Sequence, residues 1–305
     1  MPDSPPQRRL TELSPDSLRD LLKALPPEKK ETLLGLLRRQ EQAKKENFID
    51  TLFPEEGPLR RELYAKHMEF FAAGKQERER AFMGGNRTGK TTSGGGYELA
   101  LHLSGDYPSW WVGRRFNRPT RTWACGDTGE TVREILQPTL FGQPGQMGTG
   151  LIRARFITGV RNRRGSPDAI ESATIKHASG RGDSTLLLKS YEQGRKAFQG
   201  TKQDVILMDE EPPMSVYSEA LLRLAATTPE GDDWGSMLLT FTPLMGISEV
   251  VLRFLATQDQ MDPIPRATRT RQSYVQPSPA TPVPPPPSEP RDLMGEYENP
   301  MDALR

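Results

Sequence analysis

The sequence holds a single cysteine, Cys125, so no internal disulfide can form, and its three histidines, His67, His102 and His177, show no metal-ligand spacing. No stretch approaches the ~20 apolar residues that span a bilayer, and the opening MPDSPPQRRL has no apolar signal core. Net charge is only +1, so no global field draws in nucleic acid or anionic lipid, and any polyanion must be met by a local patch. Apolar residues are scarce too, at 34 % against 27 % charged, which predicts that part of the 305 residues lies outside any core. The expectation is a soluble protein of a reducing intracellular compartment, with no membrane partner and room for one large or two modest domains.

What is present is organised around Gly84 to Thr92, GGNRTGKTT, whose residues Gly84 to Thr91 fit the pattern G-x-x-x-x-G-K-[ST] without a gap. Backbone N–H groups of such a loop surround a di- or triphosphate. Lys90 then reaches the β- and γ-oxygens and the Thr91 hydroxyl can sit on Mg²⁺. The pattern needs a strand before it and a helix after it, and Ala81-Phe82-Met83 and Tyr97 to Leu103 read that way. Gly94, Gly95 and Gly96 fall where that helix should begin. Each costs about 1 kcal/mol against Ala, so the helix either packs very closely there or is irregular.

Along the chain, Ser14-Pro15 caps a helix with Leu18, Leu21, Leu22 and Leu25 on one face, and Pro26-Pro27 ends it. A second helix from near Glu28 is expected to bury Leu33, Leu34 and Leu37. A third, amphipathic through Leu63, Tyr64, His67, Met68 and Phe71, would wall the nucleotide base. In YPSWWVGRRFNRPTRTWACGDT the rings Trp110, Trp111 and Phe116 alternate with Arg114, Arg115, Arg118 and Arg121. They either clamp a single strand or anchor a loop on the core, and anchoring is favoured. The turn-rich segment with Arg153, Arg155, Arg161, Arg163 and Arg164 is the best local match to a phosphate backbone, with a solvated loop as its equal. Thr122 to Cys125, Ala173 to His177 and Thr185 to Lys189 read as strands, and strands alternating with helices predict a mainly parallel sheet covered on both faces.

Val205-Ile206-Leu207-Met208 is the short apolar run of a buried strand, and it ends in Asp209-Glu210-Glu211. Beside a phosphate loop, Asp209 would hold Mg²⁺ and Glu210 would deprotonate an attacking water, which favours NTP hydrolysis. A further strand, Met237 to Thr242, ends in Pro243, where its hydroxyls could sense the γ-phosphate.

The ordered stretches GGNRTGKTT, YPSWWVGRRF, YEQGRKAFQG, DVILMDEEPP and LLTFTPLMG resemble the ATPase domain of the large terminase subunit of tailed bacteriophages. The resemblance implies a P-loop NTPase of the additional-strand, catalytic-glutamate type, an α/β fold over residues 61–258. A helical lead-in at 1–60 precedes it, and a Pro-rich disordered tail at 259–305 follows. It implies ATP and Mg²⁺ as cofactors. ATP would lie on Gly84, Gly85, Asn86, Arg87, Thr88, Gly89, Lys90, Thr91 and Thr92, the metal on Thr91 and Asp209, and the catalytic carboxylate would be Glu210. Thr240, Thr242 and Pro243 would form the coupling motif. It further implies a homo-oligomeric ring on the portal protein, double-stranded DNA and a small terminase subunit as partners, and a place in the host cytoplasm with transient procapsid contact. Many relatives carry, where this chain has Gln199, an arginine that stabilises charge on the transferring phosphoryl group, so Arg195 or Arg87 is expected to supply that charge. Ten of the 28 prolines fall between Pro263 and Pro290, so an extended tail is expected in place of the family's nuclease domain, and with it no nuclease activity. A helicase-like or repair ATPase and an inactive prophage remnant remain as alternatives.

Overall fold

The computed structural model describes residues 26–166, 168–224, 234–244, 246–255 and 271–275. The helix expected at Ser14 to Leu25 and most of the Pro-rich segment lie outside them. Eight strands form one sheet in the order β3-β4-β5-β2-β6-β7-β1-β8. They are β1 Glu79–Met83, β2 Arg121–Gly126, β3 Ile157–Asn162, β4 Ile170–Lys176, β5 Asp183–Ser190, β6 Val205–Asp209, β7 Ser236–Phe241 and β8 Arg271–Val275. All neighbours are parallel except at β3/β4 and β4/β5, so the fold is a mainly parallel α/β sheet of the P-loop kind.

Two details go beyond the sequence reading, and the second departs from it. The strand lying between β1 and β6 is β7, which follows the acidic motif in sequence, whereas the long stretch between Lys90 and Asp209 supplies β2 to β5 on the far side. Residues 271–275, inside the segment expected to be extended, pair parallel to β1 as an edge strand. They are the proline-free RQSYV, so every backbone N–H there can donate to a ladder.

Period-two alternation sends each central strand's side chains to both faces, which is why these strands read as continuous apolar runs. Phe82, Ala124, Leu186, Val205, Leu207 and Leu238 join one core, and Ala81, Met83, Trp123, Ile206, Met208 and Met237 join the other. The first face is covered by helix α3, Tyr97–Ser104, together with α2, Ala65–Ala73. The second is covered by α5, Met214–Arg223, and α6, Glu249–Leu255. A composite helix, Gly129–Thr131, Val132–Leu136 and Gln137–Phe141, here α4, follows β2. It starts on a capping box in which Thr128 and Thr131 satisfy each other's backbone.

β1 begins two residues before the apolar signal, because Glu79 and Arg80 are buried with partners. Arg80 makes a bidentate pair with Glu98 of α3 at 2.9 and 2.6 Å and donates to the Phe70 carbonyl at 2.6 Å. Glu98 in turn meets His102 at 3.1 Å. On the other face Glu79 bonds Tyr217 and meets Arg253. The Arg80–Glu98 pair ties the strand before the phosphate loop to the helix after it. Its cost and gain nearly cancel in stability, yet removing one partner would strand a buried charge.

The lead-in helix α1, Pro27–Glu46, forms as expected, with proline in its first turn and lysines in its last. It packs less than expected. Leu33 is buried, but Leu37 is half-buried and Leu34 and Leu36 are exposed. Among the described residues no helix is long and apolar enough to cross a membrane.

Candidate functional site

The phosphate loop runs from β1 into a wide π-type turn, Lys90–Gly96, that continues as α3. The loop closes on backbone bonds from Ser93 and Gly94 to the Gly89 carbonyl at 2.8 and 3.1 Å. Arg87 and Gly89 both take positive φ, 62° and 79°. A π turn at such a place is a known marker of function.

Two of the three glycines are explained by contact with the sheet. A Cβ on Gly95 would lie 2.5 Å from Leu207 Cδ1 of β6 and 2.8 Å from Thr240 Cγ2 of β7. On Gly94 it would meet the Phe82 ring at 2.9 Å. Both alternatives raised by the sequence hold together: the turn is irregular and it lies against the sheet.

That close approach brings the loop to the acidic strand end. Thr91 Oγ1 donates to Asp209 Oδ1 at 2.7 Å, and Thr240 Oγ1 donates to the same oxygen at 2.7 Å. Lys90 Nζ donates to the Gly85 carbonyl at 2.6 Å and to Thr242 Oγ1 at 2.9 Å, and Thr242 donates to Asn86 Oδ1 at 2.9 Å. Lys90, Thr91, Asn86, Asp209, Thr240 and Thr242 therefore form one connected cluster at the carboxyl ends of β1, β6 and β7, where open parallel sheets place ligands. The Glu210 backbone N–H is held by the Thr240 carbonyl at 2.9 Å. Tyr191, buried under the edge, donates to the carbonyls of Asp209 at 2.9 Å and Glu210 at 3.2 Å. Sequence alone does not single out Tyr191; its one signal is its place in YEQGRKAFQG.

Glu210 itself sits at φ 61° with its side chain exposed beside the cluster. A bulky non-glycine residue in that region stores strain, and such strain concentrates at functional positions. Burial raises the Asp209 carboxyl above its ordinary value, against the pull of the two threonine donors and Lys90. Burial and then the Asp209 charge raise Glu210, with Lys90 opposing. Burial lowers Lys90, with Glu210 and then Asp209 opposing. A buried carboxylate oxygen beside a threonine hydroxyl is the donor set a hard divalent cation accepts, and the raised Asp209 is a group that a cation would relieve.

Other expected residues fall elsewhere. Arg195 is bonded to Glu219 at 2.9 Å, a buried acid that also holds Arg223 at 3.1 Å, so it is committed to α5 and not to the cluster. Arg87 is exposed on the loop. Pro243, exposed, lines a shallow cavity of about 320 Å³ with Gly84, Gly85, Thr242 and Val251. His67 is packed behind the loop, 3.3 Å from Ser93 Oγ, and burial lowers its pKa to about 4. It is a neutral packing residue.

The basic segment after Arg153 is largely spent on internal pairs. Arg153 binds Asp106 at 2.7 Å and also Asp50, Arg155 binds Asp106 at 3.0 Å, and Arg161 binds Glu171 at 3.2 Å. Trp111 and Phe116 are buried and Trp110 stacks on Tyr97, so these rings anchor their loop as expected.

The family model described as terminase large subunit, T4likevirus-type, N-terminal, matches residues 81–283. The terminase large subunit of Salmonella phage P22 is 34 % identical over 255 residues, covering 77 % of this chain and 48 % of that protein, so the chain spans about half the length of this curated relative. Among solved structures, the large terminase of a thermophilic bacteriophage is 13 % identical with a TM-score of 0.42, covering 77 % of this chain and 44 % of that one. The large terminase ATPase domain of Thermus phage P74-26 is 20 % identical with a TM-score of 0.41, covering 66 % and 76 %.

Proposed function

The chain belongs to the terminase large-subunit family, and from that premise we propose that it is an ATP-hydrolysing motor that drives double-stranded DNA into a procapsid. The observation that carries the reading is the shared oxygen of Asp209. It takes a donor from the phosphate loop and another from β7, which makes the loop, the acid and the coupling strand one site.

In this reading the triphosphate lies on the backbone of Gly84 to Thr92, and Lys90 exchanges its bonds to Gly85 and Thr242 for β- and γ-oxygens. Thr91 and Asp209 would hold Mg²⁺, which neutralises charge on the phosphates when bound. Glu210 accepts the proton of the water that attacks the γ-phosphorus. The bond to the β-γ bridging oxygen breaks, and ADP and inorganic phosphate leave. Its raised pKa suits it to that task, since it is a stronger base than an ordinary glutamate. Thr242 touches both Lys90 and Asn86, so loss of the γ-phosphate would rearrange the end of β7 directly. Arg87 is the cation that the loop presents to solvent, and we assign it the charge-stabilising role that Arg195 is not placed to fill. Portal, small terminase subunit and a ring of copies are the partners this reading requires.

The test is steady-state ATPase with and without duplex DNA on the wild type, Lys90→Ala and Glu210→Gln. Lys90→Ala should lose nucleotide binding, and Glu210→Gln should bind ATP without turning it over. Equal rates in all three proteins would sink the assignment.

A further inference from the structure

Glu210 is the residue at which β6 leaves its regular course. Along a strand, successive side chains go to opposite faces and successive carbonyls to opposite sides. β6 keeps that rule as far as Asp209: Val205 and Leu207 join the core under α3, and Ile206 and Met208 join the other. Asp209 shares the face of Leu207, where Thr91 meets it. An extended Glu210 would send its carboxylate to the opposite face, away from the phosphate loop. At φ 61° the chain turns out of the strand instead, and the carboxylate stays close enough for its charge to act on Lys90.

The Tyr191 hydroxyl meets both peptide groups that flank this turn. It lies 2.9 Å from the Asp209 carbonyl oxygen and 3.2 Å from that of Glu210. A phenol has one proton and keeps it at neutral pH, so the two carbonyls share one donor. Both can face one hydroxyl only when the residue between them is not extended. Peptide groups are planar, so fixing the two planes fixes φ and ψ of Glu210. The Thr240 carbonyl holds the first of these planes from β7, through the Glu210 N–H at 2.9 Å. Tyr191 is itself well set. One residue past β5, it is buried in the core that holds Trp123, Phe198 and Met208. The N–H groups of Tyr191 and Glu192 donate to the Asp127 carbonyl at 3.1 and 3.3 Å, and Glu192 Oε2 accepts from the Gly129 N–H at 2.9 Å. The hydroxyl thus reaches the end of β6 from a turn that is tied to the chain just past β2.

We infer that Tyr191 is a positioning residue, whose hydroxyl clamps the backbone of Glu210 in the left-handed turn and so keeps the carboxylate beside the phosphate loop. The inference rests on the hydrolysis reading, in which Glu210 is the base, and adds what aims that base. A glutamate left to itself favours negative φ. Loss of the hydroxyl therefore frees the carboxylate to leave its place, while the loop, Lys90 and Thr91 keep theirs. The consequence is a defect in turnover without one in nucleotide binding.

The test uses the full chain with Mg²⁺ and ATP, and compares the wild type, Tyr191→Phe, Glu210→Gln and the double variant. Phenylalanine keeps the ring in the core and removes only the donor. Tyr191→Phe should lower kcat by about 10- to 100-fold, the scale of a misplaced reacting group, with the Kd of a non-hydrolysable ATP analogue within about twofold of wild type. In single-turnover reactions on the Glu210→Gln background the same change should alter the rate by less than about threefold, because no base is left to aim. A hydroxyl that only supports the fold would cost the same factor in both backgrounds, and would weaken the analogue by loosening Asp209. Equal kcat of Tyr191→Phe and wild type, equal losses in the two backgrounds, or a Tyr191→Phe protein that no longer binds the analogue would each overturn the inference. If Glu210→Gln is inactive and Tyr191→Phe is unimpaired, the clamp alone fails. If Glu210→Gln turns over ATP as the wild type does, the base reading itself fails, whatever Tyr191→Phe does.

Discussion

Two helices of this molecule form for opposite reasons. α1 is built from good helix formers, has proline at its start and lysines at its end, and touches little; Leu34 is 37 % exposed. The run from Lys90 to Ser104 carries three glycines, Gly94 to Gly96, that penalise a helix, yet every residue from Gly94 to Ser104 is buried. Propensity makes the first and packing makes the second. The proposed chemistry falls to the second, because only a backbone without side chains comes near enough to β6 and β7 for Thr91 to reach Asp209.

The sharpest way to widen that contrast is at the acid that the buried helix reaches. Glu210→Gln should lower kcat by about 10²- to 10⁴-fold, the usual worth of a general base, with ATP affinity retained. Charge reversal along α1 should leave kcat alone.

Next comes the same substitution placed in both helices. Gly95→Ala drives a methyl into Leu207 and Thr240, and should cost about 1–3 kcal/mol in denaturant unfolding, as overpacking does, together with a loss of turnover as Thr240 is pushed off Asp209. Gly35→Ala has only Arg39 Nη2 near the new methyl, at 4.0 Å, and should instead gain up to about 1 kcal/mol of local helix stability, read by hydrogen exchange of α1. A destabilising Gly35→Ala, or a harmless Gly95→Ala, would break the comparison.

The smallest effects are those of proton binding at the buried helix's acidic partner. The Asp209 carboxyl pKa is raised above the ordinary 3.8, so the native state binds a proton more tightly than the unfolded chain does. Stability from this group is whole below 3.8 and is lost as pH rises through the raised value, leaving a cost at neutral pH. Asparagine in its place can still accept from Thr91 and Thr240 without the charge. Asp209→Asn, without nucleotide, should melt about 2–4 °C higher for each kcal/mol recovered, while losing ATPase. By the same logic the acid limb of wild-type kcat should fall at a pH above the ordinary glutamate value of 4.5, because a Glu210 that acts as the proposed base must be unprotonated. A limb at or below that value removes Glu210 from the role of base.

The nucleotide loop and the apolar acid-tipped strand are legible in sequence because each carries its pattern in consecutive residues, GGNRTGKTT and VILMDEE. Their union is not a matter of spacing: β7, last of the central strands in sequence, inserts between β1 and β6 and supplies Thr240 and Thr242. Buried charge is where sequence says least. Glu79 and Arg80 look like a surface turn until Tyr217 and Glu98 arrive from distant elements, and Arg195 looks available until Glu219 is placed beside it.

The two hydrogen bonds accepted by one Asp209 oxygen have a consequence for the order in which ligands arrive. A lone ion entering this corner would have to displace hydroxyl donors and shed much of its hydration for a single carboxylate, an exchange with little net gain. An ion already chelated by a triphosphate brings its own negative charge and keeps those oxygens as it docks. On the proposed reading the corner would be blind to free divalent ions and responsive to the chelate, so titration with the metal alone should give no saturable signal where titration with the metal nucleotide does.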